Sequence, residues 1–183
     1  RGARHVSPRR VMRRRSPLAA VAAAAVAIVP ALLGGCGDEG GVPSFSSGLP
    51  PEARGMSFVA GGRCSVDSIS ATRADDVWRA GRDKPLRFSG WALEPTTGTT
   101  SDWLVVELAA PKDARRFFAG TTTRGERSDL AAALGSGPGL SKAAFELIAA
   151  PGDVPAGRYT VRLLFGSAAG GVSCTTPVPL ELR

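Results

Sequence analysis

The sequence has 183 residues, with 23 Lys and Arg, 16 Asp and Glu, and a formal net charge of +7. The excess positive charge lies in residues 1–35, which contain seven arginines and no acidic residue, so that 36–183 carries 16 basic and 16 acidic residues. This balance argues against a nucleic-acid-binding domain, which needs a basic face or stripe. The only histidine, His5, lies in the same segment, which excludes histidine-based catalysis from the rest of the chain.

Residues 1–35 have the organisation of an export signal. The basic segment RRVMRRR, residues 9–15, precedes an apolar run from Leu18 to Leu33, and small residues follow. This run of 16 residues contains Pro30 and is shorter than the roughly 20 apolar residues that a membrane-spanning helix needs. We therefore predict a cleaved signal peptide over 1–35 and an exported protein.

The sequence LLGGC, residues 32–36, resembles the lipobox of bacterial lipoproteins. In that family the cysteine is lipidated through its thiol and becomes the acylated amino terminus after cleavage, and two or more acyl chains give stable membrane attachment. The resemblance implies lipidation of Cys36 and, because Gly37 follows it, a place on the outer membrane, at its periplasmic face or on the cell surface. The alternative is that Cys36 is an ordinary half-cystine after a conventional signal.

Residues 36–62 are rich in Gly, Ser and Pro and show little periodicity. This composition predicts a flexible tether between the lipid and a folded domain at 63–183. Phe45, Met56 and Phe58 are the residues of the tether most suited to pack on that domain.

The domain at 63–183 has a β pattern. Short runs with alternating or β-branched residues are separated by Gly and Pro, which predicts a sandwich or barrel. These runs are CSVDSIS, PLRFSGWALE, WLVVELAA, RRFFAGTTT, AAFELIAA, GRYTVRLLF and VSCTTPVPLEL. Residues 128–135, SDLAAALG, predict a short helix, whereas 73–82, RADDVWRAGR, predict either a helical turn or an irregular loop. Gly90, within its run, predicts a β-bulge.

Two cysteines, Cys64 and Cys174, lie near the two ends of this domain. In an exported chain such a pair predicts a disulfide. A zinc site is the rival interpretation, but two cysteines without histidine do not complete the usual shell of four ligands. We therefore expect neither a metal nor another cofactor.

Several motifs in the domain resemble an immunoglobulin-like β-sandwich domain of bacterial envelope proteins. The motifs are SVDSI, LRFSGWALE, RGERSDLAAAL, AAFELI and PAGRYTVRLLF. The resemblance implies an all-β, immunoglobulin-like antiparallel sandwich of about seven strands with one or two short helical turns. Its signature positions are Asp67, Gly90, Trp91, Arg127, Asp129, Phe145, Gly157 and Tyr159. Glu94 and Ala144 depart from the pattern, which has Asp and Gly at those places.

The signature residues are expected to act in the fold. We predict that Trp91 joins the two sheets, although an aromatic face also serves as a stacking platform for sugars. Asp129 is placed to cap the short helix, and Arg127 to pair with a carboxylate. Gly157 is predicted to form a turn before Tyr159.

Two other tryptophans, Trp78 and Trp103, adjoin loop sequence. Asp76 and Arg79 lie beside the first and Asp102 beside the second. An exposed indole next to hydrogen-bonding side chains predicts contact with a glycan or a protein, and the alternative is that these tryptophans cover a sheet end.

Together these features predict a lipid-anchored, non-catalytic lipoprotein of the cell envelope. Its sandwich would bind an envelope protein or a saccharide through loops at one end, without nucleic acid and without a cofactor. One alternative is a structural lipoprotein that helps to assemble a membrane complex. The other is a carboxylate-dependent hydrolase. Its candidate carboxylates are Asp67, Asp75, Asp76, Glu94, Asp102 and Asp129.

Overall fold

Strands dominate the described part of the chain. The computed structural model describes residues 41–94, 98–134, 140–167 and 170–183, all within the unit Asp38–Arg183. Its strands are β1 Phe58–Ala60, β2 Arg63–Ile69, β3 Thr72–Ala74, β4 Val77–Ala80, β5 Leu86–Leu93, β6 Leu104–Ala109, β7 Arg116–Thr121, β8 Arg124–Gly125, β9 Ala144–Ala149, β10 Gly157–Ser167, β11 Gly170–Thr175 and β12 Leu180–Leu182. Helix α1 is Ser128–Leu134, and 3₁₀ turns occupy Pro51–Ala53 and Leu140–Lys142. The predicted signal peptide and Cys36 lie outside the described residues.

The strands form two sheets. The smaller sheet has the order β2-β5-β9-β8. The larger contains β11, β10, β6 and β7 as successive neighbours, extended by β1 beside β11 and by β12, β4 and β3. These are the A-B-E-D and G-F-C-C′ strand orders of the immunoglobulin fold, and pairing is antiparallel except for β1 with β11 and β4 with β12. The predicted all-β immunoglobulin-like sandwich is therefore confirmed.

The structure has more strands than the sequence indicated, twelve against about seven in the described ranges. Part of the excess comes from 73–82, where the prediction of a helical turn or irregular loop is wrong. Strands β3 and β4 form a hairpin whose two turn residues, Asp75 and Asp76, have φ of 51° and 55°. Positive φ at both turn positions is the requirement of a type I′ hairpin, and aspartate tolerates it better than most residues.

The core lies between the two sheets and follows the alternation of the strands. In β9, Phe145, Leu147 and Ala149 are buried, while the residues between them face outward. Phe88 of β5 and Phe165 of β10 are fully buried in the same cluster. Alternating side chains thus place one apolar face of each sheet in the core.

Tyr159 fixes the start of β10. Its ring is buried, and its hydroxyl donates a hydrogen bond to the Pro155 carbonyl at 2.8 Å. A tyrosine near the start of strand F that bonds back to the preceding corner is a hallmark of immunoglobulin-like sandwiches. Burial raises the pKa of Tyr159. Gly157, predicted to form a turn, is instead the first residue of β10 and pairs with Leu182.

The predicted disulfide is present. Cys64 in β2 bonds to Cys174 in β11, with Cα atoms 6.2 Å apart and a sequence separation of 110. Since β2 belongs to the small sheet and β11 to the large one, the bond joins the two sheets at one edge of the sandwich. We call this the disulfide edge.

The opposite edge, between β7 and β9, is bridged by residues 43–46, which we call the strap. Phe45 N–H donates to the Ala150 carbonyl at 2.9 Å, and Ala150 N–H donates to Pro43 at 2.8 Å. On the other side, Ser46 and Phe118 exchange hydrogen bonds of 3.1 and 2.7 Å through their backbones. The strap thus connects the two sheets at this edge, which we call the strap edge.

Phe45 is the side chain that the strap contributes to the core. It is 2% exposed and packs edge-on against Phe88, with ring centroids 5.9 Å apart. The prediction of a flexible tether over 36–62 therefore fails from residue 43 onward. Glycine, serine and proline content predicted flexibility, but Phe45 and Ala53 within this segment are buried against the sandwich.

The chain after the strap covers the outer face of the large sheet. Leu49, Ala53 and Phe58 pack on an outward-facing cluster of Val105, Phe118 and Leu164. Met56, the third apolar residue singled out in the tether, remains 38% exposed. This layer is a second reason to place the start of the folded part near residue 43. No helix in the described ranges is long and apolar enough to cross a membrane.

Trp91 lies on the outward face of the small sheet. It packs with Leu93, Leu130, Leu140 and Ala143, below helix α1 and the following 3₁₀ turn. The prediction that Trp91 joins the two sheets is therefore wrong. Alternation along β5 places Phe88 and Ala92 in the core, which turns Trp91 outward.

Candidate functional site

A groove of about 800 Å³ runs along the strap edge. It lies between the ends of β7 and β9, and residues of the strap and of the turn at Pro51–Ala53 also line it. The residues that line it include Ser44, Ser46, Pro50, Glu52, Arg54, Trp103, Gly120, Thr121, Thr122, Thr123, Glu146 and Ile148. The volume falls within the range of about 300–1,000 Å³ that is usual for sites of small ligands.

The groove exists because the strap edge is closed at two levels and open between them. At one level the strap spans the gap between Phe118 and Ala150. At the other, the Thr121 hydroxyl donates to the Glu146 carbonyl at 2.8 Å, and Glu146 N–H donates to the Thr123 carbonyl at 3.3 Å. The gap between β7 and β9 is therefore as wide as an inserted strand at the strap, and it narrows to direct hydrogen bonding at Glu146.

Trp103 forms part of the groove wall. It immediately precedes β6, is half-buried, and packs against the outer cluster of the large sheet. A Cβ atom on Gly166 would lie 3.0 Å from the indole ring, so the absence of a side chain there lets the ring lie close to β10. Trp103 is thus half-buried rather than fully exposed, and its contact role stays a prediction.

Asp102, next to Trp103, is exposed, and its negative charge acts on Arg124 of β8. Burial lowers the pKa of Arg124 to about 10, and the Asp102 carboxylate partly opposes this shift. The Arg124 Nη2 group contacts the Ala92 carbonyl at 3.4 Å, while Nε and Nη1 are buried and have no hydrogen-bond partner in the part of the chain that the structure describes. Both polar atoms are enclosed, which makes Arg124 a costly side chain for the fold rather than an accessible binding group.

A separate cluster connects three of the signature residues on the small sheet. Arg127 binds both Asp129 oxygens, at 2.8 and 2.7 Å, and Asp67 at 2.5 Å. These contacts confirm that Arg127 pairs with carboxylates. Its hydrogen bonds lower the pKa of Asp129 and raise the pKa of Arg127 itself.

A β-bulge directs Asp67 toward this cluster. The register between β2 and β5 shifts between Val66 and Ser68, which leaves Asp67 without a partner in the ladder. The bulge therefore lies in β2, opposite Gly90, and the prediction of a bulge in the run that contains Gly90 is wrong about the strand. A Cβ on Gly90 would come within 2.1 Å of the Ser65 carbonyl, so only glycine fits. Close approach of the two backbones is what requires this residue.

The predicted contact group around Trp78 is not an exposed loop. Trp78 is a residue of β4 and is only 9% exposed, with the Arg73 guanidinium 5.5 Å from its ring centroid. Arg79 pairs with Asp75 at 3.4 Å and with Glu181 at 3.2 Å, and Asp76 pairs with Arg73 at 3.3 Å. Trp78 therefore belongs to the core, and the prediction of an exposed contact indole there is wrong.

The structure also separates the two predicted contact groups. Trp78 pairs through Leu180 with Tyr159, near the start of β10, whereas the strand after Trp103 begins opposite Phe165. Six residues of strand separate these points, or about 20 Å. Asp76, Trp78 and Arg79 thus lie far from Asp102 and Trp103, and the five residues do not form one site.

The candidate carboxylates are dispersed in the same way. Asp67 and Asp129 both bind Arg127, while Asp75 and Asp76 form the hairpin turn at the other end of β10. Glu94 is buried, and Asp102 lies beside the groove. Within the described ranges, no group of three or more His, Cys, Asp or Glu residues is arranged to hold a metal ion.

Most residues of the groove had no signal in the sequence. Gly120, Thr121, Thr123 and Glu146 belong to strands that were predicted, but only the strap makes their shared edge concave. The one usable signal was Trp103, a large apolar residue beside a loop.

No family model, no curated protein and no solved structure matches this chain.

Proposed function

We propose that this chain is a lipid-anchored, non-catalytic protein of the cell envelope whose sandwich binds an envelope protein or saccharide in the groove of the strap edge. The observation that carries the proposal is the groove itself. It is large enough for a small ligand or a protruding segment, and it combines the Trp103 indole with hydroxyl and backbone groups. Apolar surface with a few fixed polar groups is the usual composition of a recognition site.

The anchor is inferred from the LLGGC sequence. If Cys36 carries the lipid, only residues 37–42 separate it from the strap. Six residues span about 20 Å when fully extended. With such an anchor the sandwich lies close to the membrane surface. The groove, which begins at the strap, then lies close to the membrane as well. The expected location is the outer membrane, at its periplasmic face or on the cell surface.

A non-catalytic role agrees with the distribution of reactive groups. Residues 36–183 contain no histidine. Among the described carboxylates, Asp67 and Asp129 are held by Arg127, and Asp76 is held by Arg73. Glycoside hydrolysis needs two carboxyl groups that flank one bond. Glu52 and Glu146 both line the groove, but the Glu146 carboxylate is bound to Arg87 at 2.9 Å.

Photo-crosslinking in cells tests the binding site. A photoreactive amino acid replaces the exposed Thr122 in the groove or, as the matched control, the exposed Asp76 at the other end of β10. We expect cross-links to an envelope protein or glycan from position 122 and few from position 76. Cross-links from position 76 alone would contradict the proposal, because that position lies outside the groove.

The anchor has its own test. The intact mass of protein purified from membranes should begin at Cys36 and include the acyl groups, and the Cys36→Ser variant should leave the membrane fraction. An unacylated mass would remove the anchor from the proposal without affecting the groove.

A structural role in a membrane complex is the second candidate, and the edge strand β1 favours it. β1 pairs with β11 on one side, and Val59 in its centre is 72% exposed. An exposed edge strand with an apolar side chain is suited to pair with another chain. Cross-links from position 59, with none from position 122, would favour this role over the groove.

A further inference from the structure

The outer face of the large sheet carries an excess of arginine. Along β10, Tyr159, Val161 and Leu163 lie in the core, so Arg158 and Arg162 face outward. The same alternation turns the charged side chains of β4, β6, β7 and β12 outward. We call this surface the arginine face, and its charged residues, including the one that follows β12, are Arg79, Glu107, Arg116, Arg158, Arg162, Glu181 and Arg183.

The arginine face has a positive net charge. It has five arginines and two glutamates, which give +3, and Asp75 at its rim, which contacts Arg79 at 3.4 Å, lowers this to +2 when it is counted. The outer face of the small sheet differs, because its ion pairs contain more carboxylates than arginines. These pairs are Arg127 with Asp67 and Asp129, and Arg87 with Glu146.

Glu107 does not neutralise the centre of the arginine face. Its side chain is 1% exposed and lies beneath two guanidinium groups, that of Arg162 at 3.2 Å and that of Arg116 at 3.4 Å. One carboxylate thus serves two arginines, and each guanidinium group has five N–H donors. Arg158 is exposed and has no ion pair within the described residues. Donors therefore remain for an anion on the solvent side.

A phosphate group suits these donors. Guanidinium groups bind phosphate through paired hydrogen bonds and keep their charge at any physiological pH. A surface that carries several arginines and few carboxylates is therefore complementary to a surface that carries several phosphates.

The proposed anchor enters the sandwich beside the arginine face. Ser46 of the strap pairs with Phe118 of β7, and Arg116 lies two residues from Phe118 on the same side of that strand. The six residues between Cys36 and the strap span about 20 Å at most. Lipid headgroups around the anchor are therefore within reach of the arginine face.

Exposed apolar side chains favour a membrane over a soluble anion. Val42, directly before the strap, is 48% exposed. Met56 is 38% exposed and belongs to the layer that covers the rest of the same sheet face. Binding to a lipid surface increases with buried apolar area and with attraction to anionic headgroups, whereas a soluble anion uses only the charge.

We propose that the arginine face binds the phosphate groups of anionic phospholipids in the membrane that holds the anchor. The outer face of the large sheet then lies on the membrane, with Arg116, Arg158 and Arg162 at the headgroups. This inference rests on the anchor of the proposed function and adds an orientation of the sandwich to it.

Cross-linking to lipid tests the orientation. The acylated protein, purified from membranes, is reconstituted into vesicles of phosphatidylcholine alone or with about one-third phosphatidylglycerol. A photoreactive amino acid replaces Thr175, which is exposed opposite Arg162. The matched control replaces Ser68, which is exposed on the outer face of the small sheet.

We expect at least about fivefold more lipid cross-links from position 175 in the anionic vesicles than in the neutral ones, the factor that roughly one arginine contributes near an anionic surface. Position 68 should give few lipid cross-links in either.

Two charge reversals distinguish the arginine face from net charge alone. Arg158→Glu and Lys142→Glu change the net charge equally, and both residues are exposed. Lys142 lies in the 3₁₀ turn over the outer face of the small sheet. We expect Arg158→Glu to lower cross-linking from position 175 in anionic vesicles at least about fivefold and Lys142→Glu to leave it unchanged. If Arg158→Glu does not fold, the two vesicle compositions decide the question with the Arg158 chain.

The outcomes separate this inference from the proposed function. Equal cross-linking in the two vesicle compositions, or from positions 175 and 68, would overturn the inference and leave the anchor in place. Binding of tripolyphosphate by the detergent-solubilised protein, without the excess of lipid cross-links in anionic vesicles, would overturn the membrane in favour of a soluble phosphate ligand. An unacylated mass would overturn the anchor alone, because cross-linking to added vesicles still measures lipid binding by the arginine face.

Discussion

The two edges at which the sheets of the sandwich meet are closed by different means. At the disulfide edge, one covalent bond joins Cys64 to Cys174. At the strap edge, residues 43–46 insert between β7 and β9 with four backbone hydrogen bonds and the buried Phe45 ring. The disulfide links two strands of the sandwich directly. The strap is a segment that precedes these strands in the sequence.

The difference has thermodynamic and functional consequences. In the chain-entropy model a disulfide acts mainly by restricting the unfolded chain. The strap acts in the native state, through apolar burial and hydrogen bonds that water would otherwise satisfy. Because the strap occupies only one level of its edge, that edge retains a groove.

Removing the Phe45 ring should have the largest effect on stability. We expect Phe45→Ala to lower the free energy of unfolding by about 3–5 kcal/mol, the usual cost of truncating a buried phenylalanine. Met56→Ala is the control, because Met56 also lies in the predicted tether, residues 36–62, but is 38% exposed. Chemical denaturation measures both. Equal, small losses in the two variants would mean that the strap does not close the sandwich.

Removing the disulfide should cost about 2–4 kcal/mol. The double variant Cys64→Ala, Cys174→Ala should unfold at lower denaturant concentration than the oxidised protein, and reductant should affect only the latter. Combining it with Phe45→Ala should give losses that add to within about 0.5 kcal/mol if the two edges close independently. A combined loss far from the sum would show that the closures are coupled.

Lowering the pH should destabilise the disulfide edge more than the strap edge. Of the three changes, acidification should have the smallest effect on the free energy of unfolding. Arg127 holds the pKa of Asp129 below its usual value, in the cluster attached to β2 through Asp67. The contribution of this depressed pKa to stability is present above the unfolded-state pKa of about 3.9 and disappears as the pH falls through the lower folded-state value.

The measurement is unfolding free energy at pH 6 and pH 3. Asp129→Asn should lose less stability than the unaltered protein on acidification. Phe45→Ala should show the unaltered dependence, because the strap has no titratable side chain. An identical acid response of Asp129→Asn and the unaltered protein would contradict a role of this pair in folding.

The success of the strand predictions has a local cause. In runs such as GRYTVRLLF and AAFELIAA, apolar residues recur at every second position of the sequence. Strands β10 and β9 form at these runs. Cys64 and Cys174 were predictable as a pair because no other cysteine lies in the domain.

The errors have a common cause, which is that a side chain's surroundings are non-local. The polar neighbours of Trp78 predict an indole beside loop sequence that makes an exposed contact, but the parallel pairing of β4 with β12 buries it. Trp91 was assigned to the interface between sheets, yet the covering helix α1 gives it an apolar environment on the outer face. Neither partner segment is near its tryptophan in sequence.

The sequence by itself determined the β character of the domain, the pairing of its cysteines and the helix near residue 128, because each depends on periodicity, on residue count or on a local capping pattern. Only the tertiary structure decided where the fold begins and where its groove lies. Phe45 is one aromatic residue in a Ser- and Gly-rich segment, and it acquires a role only when two sheets leave a gap of the right width beside Phe88. Burial is a property of the assembled surroundings, and local composition does not contain it.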